Sequence, residues 1–253
     1  MHMSAINKRS PALEYHEHSR IFSGSQPHDP KTEYKIYPNT KAIPMDKNNL
    51  DTLTHSDDSF IETLLMRKST RCFAPIGIDF DRLSKLLTLS CGLRNVDNLH
   101  SRTYASAGAR FPIETYIVIL NSDEIELGIY HYNVFDNTLE ILKAGDYSET
   151  IKHFYSNQIG KIVTDFPCLI LFSAILDRTM QKYGERGYRF TMIDAGHMSQ
   201  NLYLSATYLK LGIVTLGAGE PGESDSRLDD MLGLLSNEES VFLGFAVGHP
   251  LQK

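Results

Sequence analysis

Lys182 and Tyr183 stand side by side and are followed by Gly184. An amine and a phenol held next to each other, just ahead of a helix, can move protons on a bound substrate. A solvated surface pair is the competing reading, and spacing alone favours it. A second stretch, Arg67-Lys68-Ser69-Thr70-Arg71, crowds cations and hydroxyls together. Guanidinium forks and hydroxyls hold phosphates, and like charges repel unless an anion sits between them. A basic helix end, favoured by the helix dipole, accounts for the same residues equally well. Ser106-Ala107-Gly108-Ala109 is a run of small residues, which lets a flat ligand or another backbone come close. Leu216-Gly217-Ala218-Gly219 closes a short strand and could offer free backbone N–H groups. Its glycine spacing does not fit the G-x-G-x-x-G dinucleotide pattern.

Asp194, His197 and Asn201 fall on one row of a helix expected over roughly residues 193 to 211, beside an apolar stripe of Met198, Leu202, Ser205 and Leu209. A polar row so near a core stripe must find hydrogen-bond partners, so His197 reads as a structural histidine. His16 and His18 in Tyr15-His16-Glu17-His18 have no third ligand nearby, and no metal site is expected. Cys72, Cys91 and Cys168 lack metal-ligand spacing and read as buried, reduced thiols.

The elements that would position these groups follow from periodicity. Residues 1–58 are polar, with no sustained period of 3.6 or 2, and read as an arm packing on a domain that spans 59–253. Within the arm, Tyr37-Pro38 and Ile43-Pro44 look extended, because proline disfavours helix at the preceding residue. Phe60, Ile61, Leu64 and Leu65 begin a helix, and a second runs from Asp79 or Asp81 to Gly92. Thr115 to Leu120 and Cys168 to Ala174 are apolar enough for buried strands. Gly128 to Asn133 and Thr138 to Leu142 flank a hairpin turn at Asp136-Asn137, and Ile151 to Ile162 reads as a weaker helix. A short helix over 227–235 and a strand over 241–247 complete the chain.

The 253 residues carry a net charge of −6 and are 42% hydrophobic, which suits a soluble, packed globule. That balance argues against nucleic-acid or acidic-membrane partners. No stretch reaches the length of a membrane span, and the N-terminus lacks a secretory core, so a cytoplasmic location is expected.

In combination and in this order, the segments resemble the FMN-dependent nitroreductase fold, and more narrowly the SagB-type dehydrogenases, the azoline oxidases of thiazole/oxazole-modified peptide biosynthesis. The carriers include Tyr15-His16-Glu17, Arg67-x-Ser69-x-Arg71, Ser106-Ala107-Gly108-Ala109 and Gly128-Ile129-Tyr130-His131-Tyr132. Lys182-Tyr183-Gly184-x-Arg186-Gly187-Tyr188-Arg189 and Asp194-Ala195-Gly196-His197 complete the set. The resemblance implies an α+β fold with a central, mostly antiparallel sheet flanked by helices, in a homodimer with the flavin at its interface. It assigns Arg67, Lys68, Ser69 and Arg71 to the FMN phosphate and ribityl chain. Ser106, Ala107 and Gly108 would reach the flavin from the partner subunit, and Leu216, Gly217, Ala218 and Gly219 would lie near the isoalloxazine edge. Lys182 and Tyr183 match the Lys-Tyr pair that azoline oxidases use, with Lys182 as base, and burial beside Arg186 or Arg189 would favour its neutral amine. The expected partners are an azoline-bearing peptide and a cyclodehydratase. Many members place a further basic phosphate ligand on a C-terminal extension, whereas this sequence stops at Lys253; either Lys253 substitutes or Arg67 and Arg71 suffice. A general NAD(P)H-dependent nitro- or quinone-reductase, and a non-catalytic scaffold subunit of a peptide-modifying complex, are the alternatives.

Overall fold

The structure is a computed structural model, and it describes residues 10–19, 59–96, 99–217 and 226–251. The Tyr37-Pro38 and Ile43-Pro44 segments, Ala218, Gly219 and Lys253 lie outside them. The framework is a six-stranded sheet made from β3 (Ile113–Ile119), β4 (Gly128–Asn133), β5 (Thr138–Ala144), β6 (Cys168–Ala174), β7 (Gly212–Leu216) and β8 (Ser240–Gly248). Its order is β5-β4-β3-β6-β8-β7, and every neighbouring pair is antiparallel. The expected α+β architecture is therefore present. A separate two-stranded ladder, β1 (Leu93–Val96) with β2 (Leu99–Arg102), was not legible in the sequence.

Alternation along the strands sends side chains to two cores. Ile117, Ile119, Ile170, Phe172 and Phe245 face one way and pack against Leu83, Leu86 and Leu87 of α3 (Phe80–Cys91) and Met198, Leu202 and Ala206 of α6 (Arg186–Tyr208). Val118, Leu169, Leu171 and Val214 face the other way, toward Ile151 and Phe154 of α4 (Ser148–Phe154) and Leu228 and Leu232 of α7 (Ser226–Leu232). β6, buried along its whole length, is the centre of both. Helix α3 starts where Asp79 accepts a hydrogen bond from the Arg82 N–H at 2.9 Å, and stops at Gly92.

Four expectations need correction. The arm is not devoid of helix: Pro11–Ser19 forms α1, whose short apolar content hid its period. α4 ends at Phe154 instead of continuing to residue 162: Tyr155 leaves helical geometry at φ −102° and ψ 28°, and Gly160, at a φ of 78°, donates its N–H to the Val163 carbonyl at 2.7 Å further on. Cys72 is exposed, while Cys91 and Cys168 are buried and their thiols are pushed up by that burial.

The fourth concerns α6, which begins at Arg186, seven residues before the expected start at about residue 193. Its first turns bury Gly187 and Thr191 instead of large apolar groups. A Cβ on Gly187 would lie 2.7 Å from Met180 Cα. That glycine is what lets α5 (Asp177–Tyr183) cross α6 so closely. α5 is also tied to the sheet. Arg178 pairs with Glu114 of β3, which bonds His131 of β4 at 3.3 Å, and His131 in turn reaches Glu140 of β5 at 3.0 Å. Burial pulls the Glu114 carboxyl up, but the His131 hydrogen bond and the Arg178 charge outweigh it and hold it below its usual range. The Glu114 hydrogen bond pulls His131 above its usual range against burial, with Glu140 adding to it.

Two outcomes follow for stability. Gly187→Ala should force α5 away from α6 and cost about 1–3 kcal/mol in urea unfolding. For the ion-pair chain, the raised His131 value makes its contribution complete below about pH 6.5 and lost as pH rises through the folded value. The lowered Glu114 value makes its contribution present above about pH 4.5 and lost as pH falls through the folded value. The stability difference between the parent and His131→Gln, on the order of 1 kcal/mol, should therefore be largest between those limits and shrink on either side.

Candidate active site

Asp194, His197 and Asn201 sit at steps of three and four on one face of α6, and each holds part of the segment that leads out of β2. Asn201 Nδ2 donates to the Thr103 carbonyl at 3.0 Å, and His197 Nδ1 meets the Ala105 carbonyl at 3.0 Å. Asp194, only 1% exposed, accepts from the Ser106 hydroxyl at 2.6 Å and from the Ala107 N–H at 3.2 Å. Ser106 Oγ accepts from the Phe111 N–H at 2.8 Å, which closes the turn. The polar row thus acts as a strap, and His197 serves as one of its ties, as the sequence suggested.

At the end of the strapped segment, Gly108 takes a φ of 61° within a 3-10 turn over Ala107–Ala109. A Cβ there would lie 2.5 Å from Tyr183 Oη and 2.7 Å from Lys182 Nζ. The two tips therefore converge on a backbone position that only glycine can supply. Lys182 Nζ stands 5.3 Å from the Tyr183 ring centroid. Tyr183 meets Phe190 edge-on at 5.0 Å, and the Arg186 guanidinium stands 5.7 Å from the Phe190 ring. Lys182 and Tyr183 close the last turn of α5 and do not lie in a loop. Lys182 is exposed in the single chain, which corrects the expected burial.

The second cluster follows α2 (Ser59–Met66). The Thr70 N–H donates to the Ile213 carbonyl of β7 at 2.8 Å, the Thr164 N–H to the Arg71 carbonyl at 2.9 Å, and the Leu251 N–H to the Cys72 carbonyl at 2.9 Å. This backbone is threaded between the start of β7 and the end of the described chain. Gly212 makes room for it: a Cβ there would lie 2.7 Å from Thr70 Cγ2. Arg67 stands 5.7 Å from the Tyr203 ring, whose hydroxyl accepts from the Thr215 N–H at 2.8 Å. Lys68, Ser69 and Arg71 are exposed, and none of Arg67, Lys68 and Arg71 has an ion-pair partner among the described residues. Past β7, the Gly217 N–H donates to Gln158 Oε1 at 2.9 Å. Neither Gln158 nor Tyr203 was singled out in the sequence, since each acts only through a contact distant along the chain.

The structure thus unites Lys182 and Tyr183 with Ser106 to Gly108, and it unites Arg67 to Arg71 with Leu216 and Gly217 through β7. It does not join the two groups. Tyr203 and Asp194 are separated by roughly 14 Å of α6, and Tyr203 and Phe190 by roughly 20 Å. No residue of α2 is fully buried, and Phe60, Leu64 and Met66 are exposed. No helix among the described residues is long and apolar enough to cross a membrane.

The model of the nitroreductase family matches residues 64–249. A Methanocaldococcus jannaschii protein assigned as a nitroreductase, MJ1384, is 31% identical over 159 residues, which cover 62% of this chain and 77% of that one. The trifolitoxin-processing protein TfxB of Rhizobium leguminosarum is 29% identical over 148 residues, 54% of this chain but only 39% of TfxB. Among solved structures, a chain of the Escherichia coli microcin synthetase McbBCD complex with truncated pro-MccB17 bound superposes with a TM-score of 0.75 at 16% identity, over 95% of this chain and 92% of that one. With a family match across most of its length and the expected sheet in place, the chain belongs to the nitroreductase family.

Proposed function

We propose that this protein is an FMN-dependent dehydrogenase that oxidises thiazoline or oxazoline rings of a ribosomal peptide to thiazole or oxazole. The observation that carries the reading is the meeting of Lys182 Nζ and Tyr183 Oη over Gly108. A reductase fed by a nicotinamide has no need of such a pair, whereas aromatising an azoline requires removal of a proton as well as a hydride. The peptide-processing name of TfxB and the peptide-bound microcin synthetase lend support.

The residues present fit FMN. Arg67, Lys68 and Arg71 offer cationic donors without acidic partners among the described residues, and Ser69 adds an exposed hydroxyl, a set suited to a phosphate and ribityl chain. Leu216 and Gly217, continuing into Ala218 and Gly219, would face the ring edge. Ser106, Ala107 and Gly108 would approach from a second copy, because the two clusters stand apart within one chain and Leu64 and Met66 of α2 are exposed. A homodimer in the cytoplasm, served by a cyclodehydratase, completes the reading.

Bound FMN supplies the two-electron acceptor. The chain's own residues supply position and proton transfer. Lys182 Nζ takes the proton from the ring α-carbon as the β-carbon gives up its hydride, and the Tyr183 hydroxyl orients the azoline by hydrogen bonding. Covering of Lys182 by peptide or by the second subunit would exclude water from the exchange.

MJ1384's identity keeps one other reading in play, a general NAD(P)H-dependent reductase. The two separate in one experiment with purified, FMN-loaded protein and an azoline peptide. The peptide should lose two hydrogens by mass, Lys182→Ala should slow that loss about 100-fold, and NAD(P)H alone should bleach the flavin slowly. An unchanged rate in Lys182→Ala removes Lys182 as the base, and rapid bleaching without peptide favours the reductase.

A further inference from the structure

The joint between α5 and α6 is a single residue pair, Gly184 and Glu185. Gly184 adopts φ 56° and ψ −145°, a conformation open to glycine alone. Lys182 and Tyr183 lie immediately before it, and α6, anchored in the core by Met198, Leu202 and Ala206, lies immediately after it. The close crossing at Gly187 fixes part of the angle between them, and something else must fix the rest.

That fixing comes from far away in the sequence. Glu185 Oε2 accepts a hydrogen bond from the Ser10 hydroxyl at 2.7 Å and another from the Ala12 N–H at 2.8 Å. The carboxylate therefore caps the first turn of α1, where orphan N–H groups and the positive end of the helix dipole favour an anion. α1 then lies against Tyr188, on the far side of the joint. The Tyr15 and His16 rings meet Tyr188 edge-on, each at 5.9 Å, and His16 is buried. Ala12 and Leu13 pack on the main core. Two further bonds tighten the joint itself, from the Gly187 N–H to the Gly184 carbonyl at 2.8 Å and from the Tyr188 N–H to the Glu185 carbonyl at 3.3 Å.

We infer that Glu185 is a positioning residue for the Lys182-Tyr183 pair: by clamping α1 across the Gly184 joint it holds both side chains against Gly108. The role in catalysis rests on the function proposed above, while the clamp itself does not. Glu185 bonds Ser10 and Ala12 at the start of α1 instead of the converging tips, so it acts on the reaction only by geometry. An error of about 1 Å in the placement of a proton acceptor is enough to slow such a step severely.

The test compares the parent, Glu185→Ala and Glu185→Gln as full-length, FMN-loaded protein. Two quantities are measured, amide hydrogen exchange across residues 177–190 and the kcat and KM for azoline-peptide oxidation. Glu185→Ala should speed exchange in that segment and in residues 10–19, and lower kcat about tenfold with little change in KM or flavin content. Glu185→Gln keeps an oxygen that can accept from the Ala12 N–H and should restore much of both. Parent-like exchange in Glu185→Ala overturns the clamp. Faster exchange with unchanged kcat overturns the positioning role. If the parent itself leaves azolines untouched, the proposed function fails, and the exchange data still decide the clamp.

Discussion

A carboxylate sealed inside a protein must be hydrogen-bonded, and Asp194 meets that demand with the backbone and side chain of another segment. It is 1% exposed, so there is no water to substitute for Ser106 and Ala107. Once those two bonds form, the path of residues 103–107 along α6 is set, with His197 and Asn201 adding ties at the next two positions of the same row. Gly108 is then carried to the one place where the ends of Lys182 and Tyr183 meet. A residue that touches none of the proposed chemistry thereby determines whether its three participants share a site.

The second half of the arrangement is set by glycines at close crossings. Gly187 brings α5 onto α6, Gly212 admits Thr70 beside β7, and Gly108 admits the Lys-Tyr pair. Each removes a Cβ where a neighbour already stands, so the backbone, not side-chain packing, sets the spacing. The same helix that unites one cluster also keeps the other at a distance. α6 rises roughly 34 Å over its 23 residues, and the basic segment meets it near the opposite end from the Lys-Tyr pair. Separation within one chain, beside an apolar helix with no fully buried residue, is the geometry expected under the proposal of a site completed by a second copy.

Much of this was legible in the sequence, for identifiable reasons. β3 and β6 announced themselves because strands buried on both faces are unbroken apolar runs. The hairpin of β4 and β5 followed from its turn, and the polar row of α6 from helical arithmetic. What stayed hidden were features whose signal is spread along the chain. The first turns of α6 contact α5 through Gly187 and Thr191, which carry no apolar period. α1 is a helix whose core contacts are Ala12, Leu13 and His16, too few to stand out. Gln158 and Glu185 matter through partners 59 and more than 170 residues away, which no local pattern encodes. The exposure of Lys182 in one chain also escaped the sequence, since burial in the proposed dimer would depend on a surface the chain does not itself provide.

The claim beneath the whole account is that the Asp194-held segment and the Lys182-Tyr183 pair form one working site. Asp194→Asn addresses it with minimal change in shape: the amide oxygen can still accept from the Ala107 N–H, but its NH2 group cannot accept the Ser106 hydroxyl. The measurement is the rate at which the FMN-loaded variant removes two hydrogens from an azoline peptide. The account predicts a fall of about tenfold or more with the flavin retained. A rate equal to that of the parent would contradict it.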